Sequence, residues 1–296
     1  MESYKTQYRG SMVAIVTPFK SGVFDGEALE GLIDFQLKNG TSGIVPCGTT
    51  GESATLSHEE HRCVVEVAVK AVGGRVPVIA GTGSNSTEEA IDLTRHAKQV
   101  GADGALLITP YYNKPTQEGL FLHYKSVAEA VDIPIILYNI PGRTGVNMLP
   151  ETVERLCAIK NIVSIKEGSG SLQQMTDLVR RCGDRMPVLS GDDGLTLPIL
   201  AIGGTGVITV SANIIPKDVS SMIDAFEDGR LAEARASHLK MDPLVLALFL
   251  ETNPIPVKQA LAFMGKSSAE VRLPLCQMSD ENQHYLRKIM TAYGLL

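Results

Sequence analysis

Strand-like and helix-like segments alternate along most of the chain, and this alternation constrains the fold more than any other feature. Eight short apolar runs rich in β-branched residues are each followed by a segment with helical periodicity, at intervals of roughly 30 residues. Parallel strands joined by helical crossovers are typical of α/β proteins, and eight such units predict a (β/α)8 TIM barrel. A doubly wound open sheet is the alternative, although no G-x-G-x-x-G fingerprint follows the first predicted strand.

The alternation places the predicted elements and one domain boundary. Predicted strands span residues 11–16, 43–46, 76–80, 105–108, 135–138, 162–166, 187–189 and 206–210. Predicted helices of the barrel span residues 27–39, 58–72, 87–100, 117–131, 150–158, 172–181, 195–202 and 216–228. Three further helical segments, 230–250, 255–264 and 279–293, follow without a strand between them. We therefore predict a catalytic barrel at 1–228 and a C-terminal helical region at 229–296.

The composition excludes several classes of partner and compartment. The formal net charge is −6 and no block of basic residues occurs, so we expect no nucleic acid and no membrane surface as partner. No apolar run approaches the roughly 20 residues of a membrane span, and the polar residues 1–10 predict no signal peptide. The cysteines are odd in number and lack C-x-x-C spacing, which favours a reducing cytoplasm over disulfides; they are Cys47, Cys63, Cys157, Cys182 and Cys276.

Two other features of the sequence resemble reactive or metal sites. Cys47 precedes a glycine-rich turn and could be a nucleophile, but a buried strand cysteine is the favoured interpretation. His58 and His61 are spaced i, i+3 and do not form the helical H-E-x-x-H pattern of zinc enzymes. We expect no metal site.

The stretch I-V-S-I-K-E-G-S-G at residues 162–170 carries the most informative side chain. Lys166 stands at the C-terminal end of a predicted buried strand. Desolvation in an apolar pocket lowers the pKa of a lysine, and the neutral amine can attack a carbonyl to form a Schiff base. The alternative is a lysine that extends to solvent at the barrel rim.

Other polar side chains cluster at the predicted C-terminal strand ends, where active sites of (β/α)8 barrels form. They are Thr49, Thr50, Tyr111, Tyr112, Tyr138, Arg143 and Lys166, with Gly191 after strand seven and Ile208 on strand eight. A phenol and hydroxyls can transfer protons, the backbone N–H groups of the G-T-T-G turn can bind a carboxylate, and a guanidinium can hold a second one. Each feature alone has a purely structural explanation, but together they favour carbonyl chemistry.

Several motifs resemble one known family over essentially the whole chain. They are G-T-T-G-E (48–52), P-Y-Y-N-K-P (110–115), Y-N-I-P-G-R-T (138–144), I-K-E-G-S-G (165–170), S-G-D-D (190–193), G-G-T-G-V-I-T-V (203–210) and E-T-N-P-I-P-V-K (251–258). The chain resembles the dihydrodipicolinate synthase family of pyruvate-dependent class I lyases, which share individual motifs with N-acetylneuraminate lyase. Gly168 departs mildly from it, because many relatives carry alanine there.

The resemblance implies an aldolase-type mechanism that needs no cofactor. Lys166 would form a Schiff base with pyruvate, and the resulting enamine would attack the aldehyde of L-aspartate-4-semialdehyde in lysine biosynthesis through diaminopimelate. Tyr138 would transfer protons, linked through Thr49 to Tyr112 of a neighbouring subunit.

The resemblance also implies the substrate-binding residues. Thr50 and nearby backbone N–H groups would hold the pyruvate carboxylate, and Arg143 the carboxylate of the semialdehyde. Gly191 and Ile208 complete the predicted set. Another pyruvate-dependent lyase acting on a sugar acid is the first alternative, and a non-catalytic barrel that binds a small acid is the second.

Assembly and regulation are also implied by the resemblance. We expect a homotetramer, a dimer of dimers, because two adjacent tyrosines cannot both face one barrel's own pocket. L-Lysine is expected to inhibit at the dimer interface near the mouth; its predicted contacts are Ser53, Ala54, His58, His61, Asn85, Glu89 and Tyr111. The alternative is that His58 and His61 merely begin a solvated helix.

Overall fold

Eight parallel strands form the nearly closed barrel that the alternation predicts, in a computed structural model that describes residues 8–296. The strands are β1 (Gly10–Ala14), β2 (Gly43–Val45), β3 (Ile79–Gly81), β4 (Gly104–Ile108), β5 (Ile135–Asn139), β6 (Ile162–Glu167), β7 (Val188–Ser190) and β8 (Gly206–Thr209). Their order is β2-β1-β8-β7-β6-β5-β4-β3. A parallel bridge between Ile44 and Val78 joins the two ends of this order, and the Ile44 N–H donates to the Pro77 carbonyl at 3.0 Å.

At least one helix follows each barrel strand, and three helices follow the barrel. They are α1 (Gly26–Lys38), α2 (His58–Val72), α3 (Thr87–Gln99), α4 (Gln117–Ala130), α5 (Pro150–Leu156), α6 (Leu172–Cys182), α7 (Thr196–Ala201), α8 (Pro216–Glu227), α9 (Leu231–Ala247), α10 (Ile255–Phe263) and α11 (Asp280–Tyr293). The predicted fold class is confirmed. The boundary at 228/229 stays a prediction, and buried residues of α9 to α11 belong to the same apolar cluster as residues around β1 and β2.

Local chemistry explains where the helices begin. At α2, the Ser57 side chain accepts a hydrogen bond from the Glu60 N–H while the Glu60 side chain accepts from the Ser57 N–H. This reciprocal capping satisfies two N–H groups that have no partner within the helix. Thr116 and Ser171 accept similar bonds at the first turns of α4 and α6.

The short elements were not predicted. A hairpin of Phe19–Lys20 and Val23–Phe24 and the short helix Pro141–Thr144 are too brief to show a period in the sequence. Strand β3 begins at Ile79 rather than at residue 76, and Pro77 just before it has no N–H to donate to a strand neighbour.

A register shift between β5 and β6 brings two predicted site residues together. Ile135 pairs with Ile162, whereas Tyr138 pairs with Lys166, because β6 carries one extra residue. Without the extra residue, Tyr138 would pair with Ile165, and the side chain of Lys166 would point to the other face of the sheet. The bulge therefore aims Lys166 into the barrel.

The barrel interior is filled by apolar side chains, so a ligand has room only at its mouth. The interior cluster includes Met12, Val45, Ile79, Leu106, Ile136, Tyr138, Val163, Leu189 and Ile208. Within residues 8–296, no helix is long and apolar enough to cross a membrane. The prediction of no signal peptide rests mostly on residues 1–7, which lie outside the described residues.

The close contact of β1 and β8 gives a test of the barrel's closure. We expect Gly206→Ala to lower the free energy of unfolding by about 1–3 kcal/mol, as overpacking does, because a Cβ at Gly206 would lie 2.2 Å from the Gly10 carbonyl oxygen. As a control, Gly31→Ala in α1 meets nothing within 4 Å and should stabilise the helix by up to about 1 kcal/mol. Denaturation followed by circular dichroism compares the variants; wild-type stability of Gly206→Ala would contradict this register.

Candidate active site

An open cavity of about 430 Å³ lies at the C-terminal mouth of the barrel. Its lining combines residues after several strands with residues 252–254 and 274–275 of the C-terminal region. From the predicted catalytic and substrate-binding set it includes Thr49, Tyr138 and Arg143. This is the face at which barrel enzymes bind substrates.

Lys166 is not part of the cavity lining but lies beside Tyr138, which is, and it is buried rather than extended to solvent. Its side chain is 6% exposed, and its Nζ lies 4.2 Å from the centroid of the Tyr138 ring. Burial lowers the pKa of Lys166 to about 8; the charge of Asp193 opposes this shift and that of Arg143 adds to it. A substantial fraction of the amine is therefore neutral in mildly alkaline solution.

Tyr138 lines the cavity, and its ring lies beside Lys166. Burial raises the pKa of its phenol to about 12, although the positive charge of Arg143 and a hydrogen bond with Thr49 both lower it. The phenol is therefore protonated near neutral pH. It can donate a proton, and it can pass one on through the hydroxyl of Thr49.

Asp193 is a buried acid near Lys166 that the sequence analysis did not single out. Its carboxylate accepts hydrogen bonds from the N–H of Val210 at 3.1 Å and the N–H of Ser211 at 2.6 Å. Burial raises its pKa in spite of these bonds. The S-G-D-D motif contains this residue, but nothing in the sequence indicates its distance from Lys166.

Glu167 lies on the opposite face of β6 from Lys166 and is fully buried. It accepts hydrogen bonds from the Asn139 side chain at 3.1 Å, the Ser169 N–H at 2.7 Å and the Gln174 side chain at 3.3 Å. Since Asn139 pairs with Glu167 where Tyr138 pairs with Lys166, these bonds fix the ends of β5 and β6 from outside the barrel.

The turn after β2 is held in a strained conformation. Cys47 and Glu52 both have left-handed backbone angles, with φ of 56° and 53°, which non-glycine residues adopt rarely. Thr50 is buried, and its hydroxyl accepts a hydrogen bond from Asn253 at 2.9 Å. Thr49 lines the cavity, whereas Thr50 is not part of the lining.

Cys47 is buried, as expected, but follows β2 instead of lying within it. Its thiol donates to the His61 carbonyl at 3.7 Å. Burial raises the pKa of the thiol well above its usual range, so the thiolate that a nucleophile needs is disfavoured.

Arg143 is an exposed residue of the short helix Pro141–Thr144, at the mouth. Its Nη2 donates to the Asn253 carbonyl at 3.3 Å. Asn253 thus contacts both Arg143 and Thr50, and its Oδ1 is buried without a hydrogen-bond partner. The sequence analysis quoted the motif that contains Asn253 but assigned the residue no role.

Gly191 and Ile208, like Thr50, are predicted to bind substrate but do not line the cavity. The Gly191 N–H donates to the Glu167 carbonyl at 2.7 Å, and a Cβ there would lie 3.0 Å from the Cα of Gly168. Ile208 is 1% exposed within the barrel interior. Gly191 therefore packs against the end of β6, and Ile208 belongs to the interior of the barrel.

The adjacent tyrosines after β4 differ in exposure. Tyr111 is 37% exposed and lines the cavity. Tyr112 is 89% exposed, has a φ of 73° and is not part of the lining. Within one chain, Tyr112 therefore does not reach Thr49.

Six of the seven residues predicted to bind lysine line the same cavity, namely Ser53, Ala54, His58, His61, Glu89 and Tyr111. Asn85 does not; its carbonyl accepts from Asn113 at 2.9 Å. His61 is 4% exposed, so it does not merely begin a solvated helix. Burial lowers its pKa.

His58 and Glu89, which both line the cavity, are in direct contact. His58 Nε2 lies 2.6 Å from Glu89 Oε1, and the other oxygen of Glu89 accepts from Ser84. Within residues 8–296, no group of three or more His, Cys, Asp or Glu residues could hold a metal ion.

Comparisons with known proteins identify the family of this chain. A profile described as the dihydrodipicolinate synthetase family matches residues 7–293. The 4-hydroxy-tetrahydrodipicolinate synthase of Syntrophus aciditrophicus (strain SB) is 63% identical over 289 residues, which cover 98% of this chain and 99% of the relative.

Solved structures are also similar over almost the whole chain. A chloride-inhibited dihydrodipicolinate synthase from Acinetobacter baumannii, complexed with pyruvate, is 46% identical with a TM-score of 0.95 and coverage of 97% and 99% of the two chains. The enzyme from Cyanidioschyzon merolae with lysine bound is 44% identical with a TM-score of 0.95 and coverage of 98% and 99%. The chain belongs to the dihydrodipicolinate synthetase family.

Proposed function

We propose that this enzyme condenses pyruvate with L-aspartate-4-semialdehyde, as a 4-hydroxy-tetrahydrodipicolinate synthase of lysine biosynthesis, through a Schiff base on Lys166. The observation that carries the proposal is the burial of Lys166 against Tyr138, a residue that lines the open cavity. The relative from Syntrophus aciditrophicus is a 4-hydroxy-tetrahydrodipicolinate synthase, and the match covers almost its full length.

The first step is attack of the neutral Lys166 amine on the C2 carbonyl of pyruvate. A pKa near 8 supplies the neutral amine, and loss of water gives the imine. Loss of a proton from the pyruvate methyl group then gives the enamine, whose carbon attacks the aldehyde of the second substrate. Cyclisation by the amino group of that substrate releases Lys166.

Proton transfers in these steps are assigned to Tyr138. Its phenol is protonated at neutral pH and interacts with the Thr49 hydroxyl, so Thr49 can pass protons toward the mouth. Tyr112 would continue the relay from a partner subunit, because its exposed side chain does not enter the cavity of its own chain.

Substrate carboxylates are assigned to two places. Arg143 at the mouth would hold the carboxylate of the semialdehyde, and its contact with Asn253 positions it there. The turn that contains Thr49 and Thr50 would hold the pyruvate carboxylate by its N–H groups. Gly191 and Ile208 would shape the floor from below.

The proposed assembly is a cytoplasmic homotetramer made of two dimers. The exposed Tyr112 next to the cavity-lining Tyr111 supports an interface there. All five cysteines are free in the structure, which suits a reducing compartment.

L-Lysine is proposed to inhibit by binding at the end of the cavity lined by His58, His61 and Glu89. The Glu89 carboxylate can pair with the α-ammonium of the ligand, while neutral His61 offers a polar contact. Asn85 does not line the cavity of its own chain, so it would contact the bound lysine from the partner subunit or after a movement of its loop. The bound lysine would lie beside Tyr111, next to the relay residue Tyr112.

Removing the relay hydroxyls tests the proposed proton transfers. We expect Tyr138→Phe and Thr49→Val each to lower kcat by about 10²- to 10⁴-fold, the range for a lost acid–base group. Tyr124→Phe is the control, since Tyr124 is equally buried but donates to the Leu107 carbonyl outside the cavity. The assay is turnover of pyruvate and L-aspartate-4-semialdehyde; near wild-type rates in both variants would exclude the relay.

The pH dependence of imine formation tests the state of Lys166. With pyruvate and cyanoborohydride, the rate of adduct formation should rise with pH through about 8 and then level off, because only the neutral amine reacts. Since the charge of Arg143 lowers the Lys166 pKa, Arg143→Gln should move the rise to higher pH, whereas Arg143→Lys should not. A rise at the same or lower pH in Arg143→Gln would contradict this electrostatic role.

Lysine inhibition tests the regulatory site. Millimolar L-lysine should lower the initial rate of the wild type, by roughly 5- to 150-fold for coupling of about 1–3 kcal/mol. Glu89→Ala removes the partner of the ammonium, and His61→Lys adds a cation that repels it, so both should abolish inhibition. Glu88→Ala is the control, because Glu88 is exposed and does not line the cavity. A wild-type rate unaffected by lysine would exclude the site.

A further inference from the structure

A buried ion pair joins the C-terminal region to the turn after β2, whose residues Thr49 and Glu52 line the cavity. The Lys258 Nζ donates to Glu52 Oε1 at 2.5 Å, and neither side chain has exposed surface. The other oxygen of Glu52 accepts from the Arg272 N–H at 3.0 Å. Both carboxylate oxygens of Glu52 are therefore held by residues more than 200 positions away in the sequence.

Glu52 ends the turn that carries Thr49. Its own N–H donates to the Thr49 carbonyl at 3.1 Å, so a displacement of Glu52 would move Thr49. The left-handed φ of 53° at Glu52 is a conformation that persists only where the surroundings fix it. The Lys258 and Arg272 contacts supply that restraint.

Two other residues of this turn, Thr50 and Gly51, are held by hydrogen bonds between uncharged groups. Thr17 Oγ1 donates to the Gly51 carbonyl at 2.7 Å, and Asn253 donates to the Thr50 hydroxyl. No charged group takes part in either contact. A buried ion pair is a poor source of stability, because apolar residues of similar volume serve as well. What apolar residues would not reproduce is the fixed position that the Lys258 hydrogen bond gives to the Glu52 carboxylate.

We propose that Glu52 and Lys258 are positioning residues, which set the place of the Thr49 hydroxyl against Tyr138. The inference rests on the proposed role of Thr49 in the proton relay. The pair itself does not touch the reacting atoms. Its loss should therefore lower kcat through Thr49, while the barrel stays folded.

The test removes both charges at once, because a single substitution would leave an unpaired buried charge that can unfold the protein. In Glu52→Gln/Lys258→Met we expect a melting temperature within a few degrees of wild type and a kcat lower by about 10- to 100-fold, the scale of a small misplacement. Added to this background, Thr49→Val should cost far less than it does in the wild type, because coupled residues are not additive.

The control removes an exposed pair away from the cavity, Glu118→Gln/Arg155→Met. It should keep the wild-type kcat and the full effect of Thr49→Val. Should the double variant fail to fold, Glu52→Asp keeps both charges but retracts the carboxylate, and the same loss of kcat and of the Thr49→Val effect is expected.

Two results overturn the inference: a wild-type kcat in the folded variant, or an undiminished effect of Thr49→Val. Turnover of the wild type is measured alongside. An inactive wild type would reject the proposed function, whereas an active wild type with an equally active double variant would reject only the positioning role.

Discussion

The desolvation of Lys166 is the constraint on which the rest of the site depends. A lysine in water is almost wholly protonated near pH 7 and cannot attack a carbonyl. Here the barrel interior and the Tyr138 ring exclude water from the amine, and its pKa is lowered to about 8. The nearby charges have opposite effects on it: Arg143 adds to the lowering and buried Asp193 limits it. The result is an amine that is neutral often enough to react.

This arrangement depends on the pairing of two strands. The bulge in β6 sets Lys166, not Ile165, opposite Tyr138. The bonds of buried Glu167 to Asn139 and to its own turn hold that register from the helix side. The pairing of β5 with β6 therefore points the Lys166 amine into the barrel and keeps the Tyr138 phenol beside it. Glu167, on the opposite face of β6, belongs to a separate polar network.

The sequence predicts the barrel and much of the mouth, because both follow from local pattern. Alternating strands and helices indicate eight parallel strands, and polar residues at strand ends such as Lys166 must then meet at one face. The contributions of Asn253 and Lys258 could not be predicted, because they depend on how the C-terminal helices pack on residues some 200 positions earlier. The β6 bulge could not be predicted either, because it leaves no pattern in the sequence. Tyr112 is exposed in the single chain, so its proposed role in the relay requires a partner subunit.

The central claim is that Lys166 is the nucleophile, and mass spectrometry tests it most directly. The protein is incubated with pyruvate, reduced with borohydride, digested and mapped, with Lys258 as an internal comparison because it is also a buried lysine beside an aromatic ring. The account predicts one reduced pyruvyl adduct, on the peptide that contains Lys166, and none in Lys166→Ala. An adduct on Lys258 or another lysine, or an active enzyme without any adduct, would contradict it.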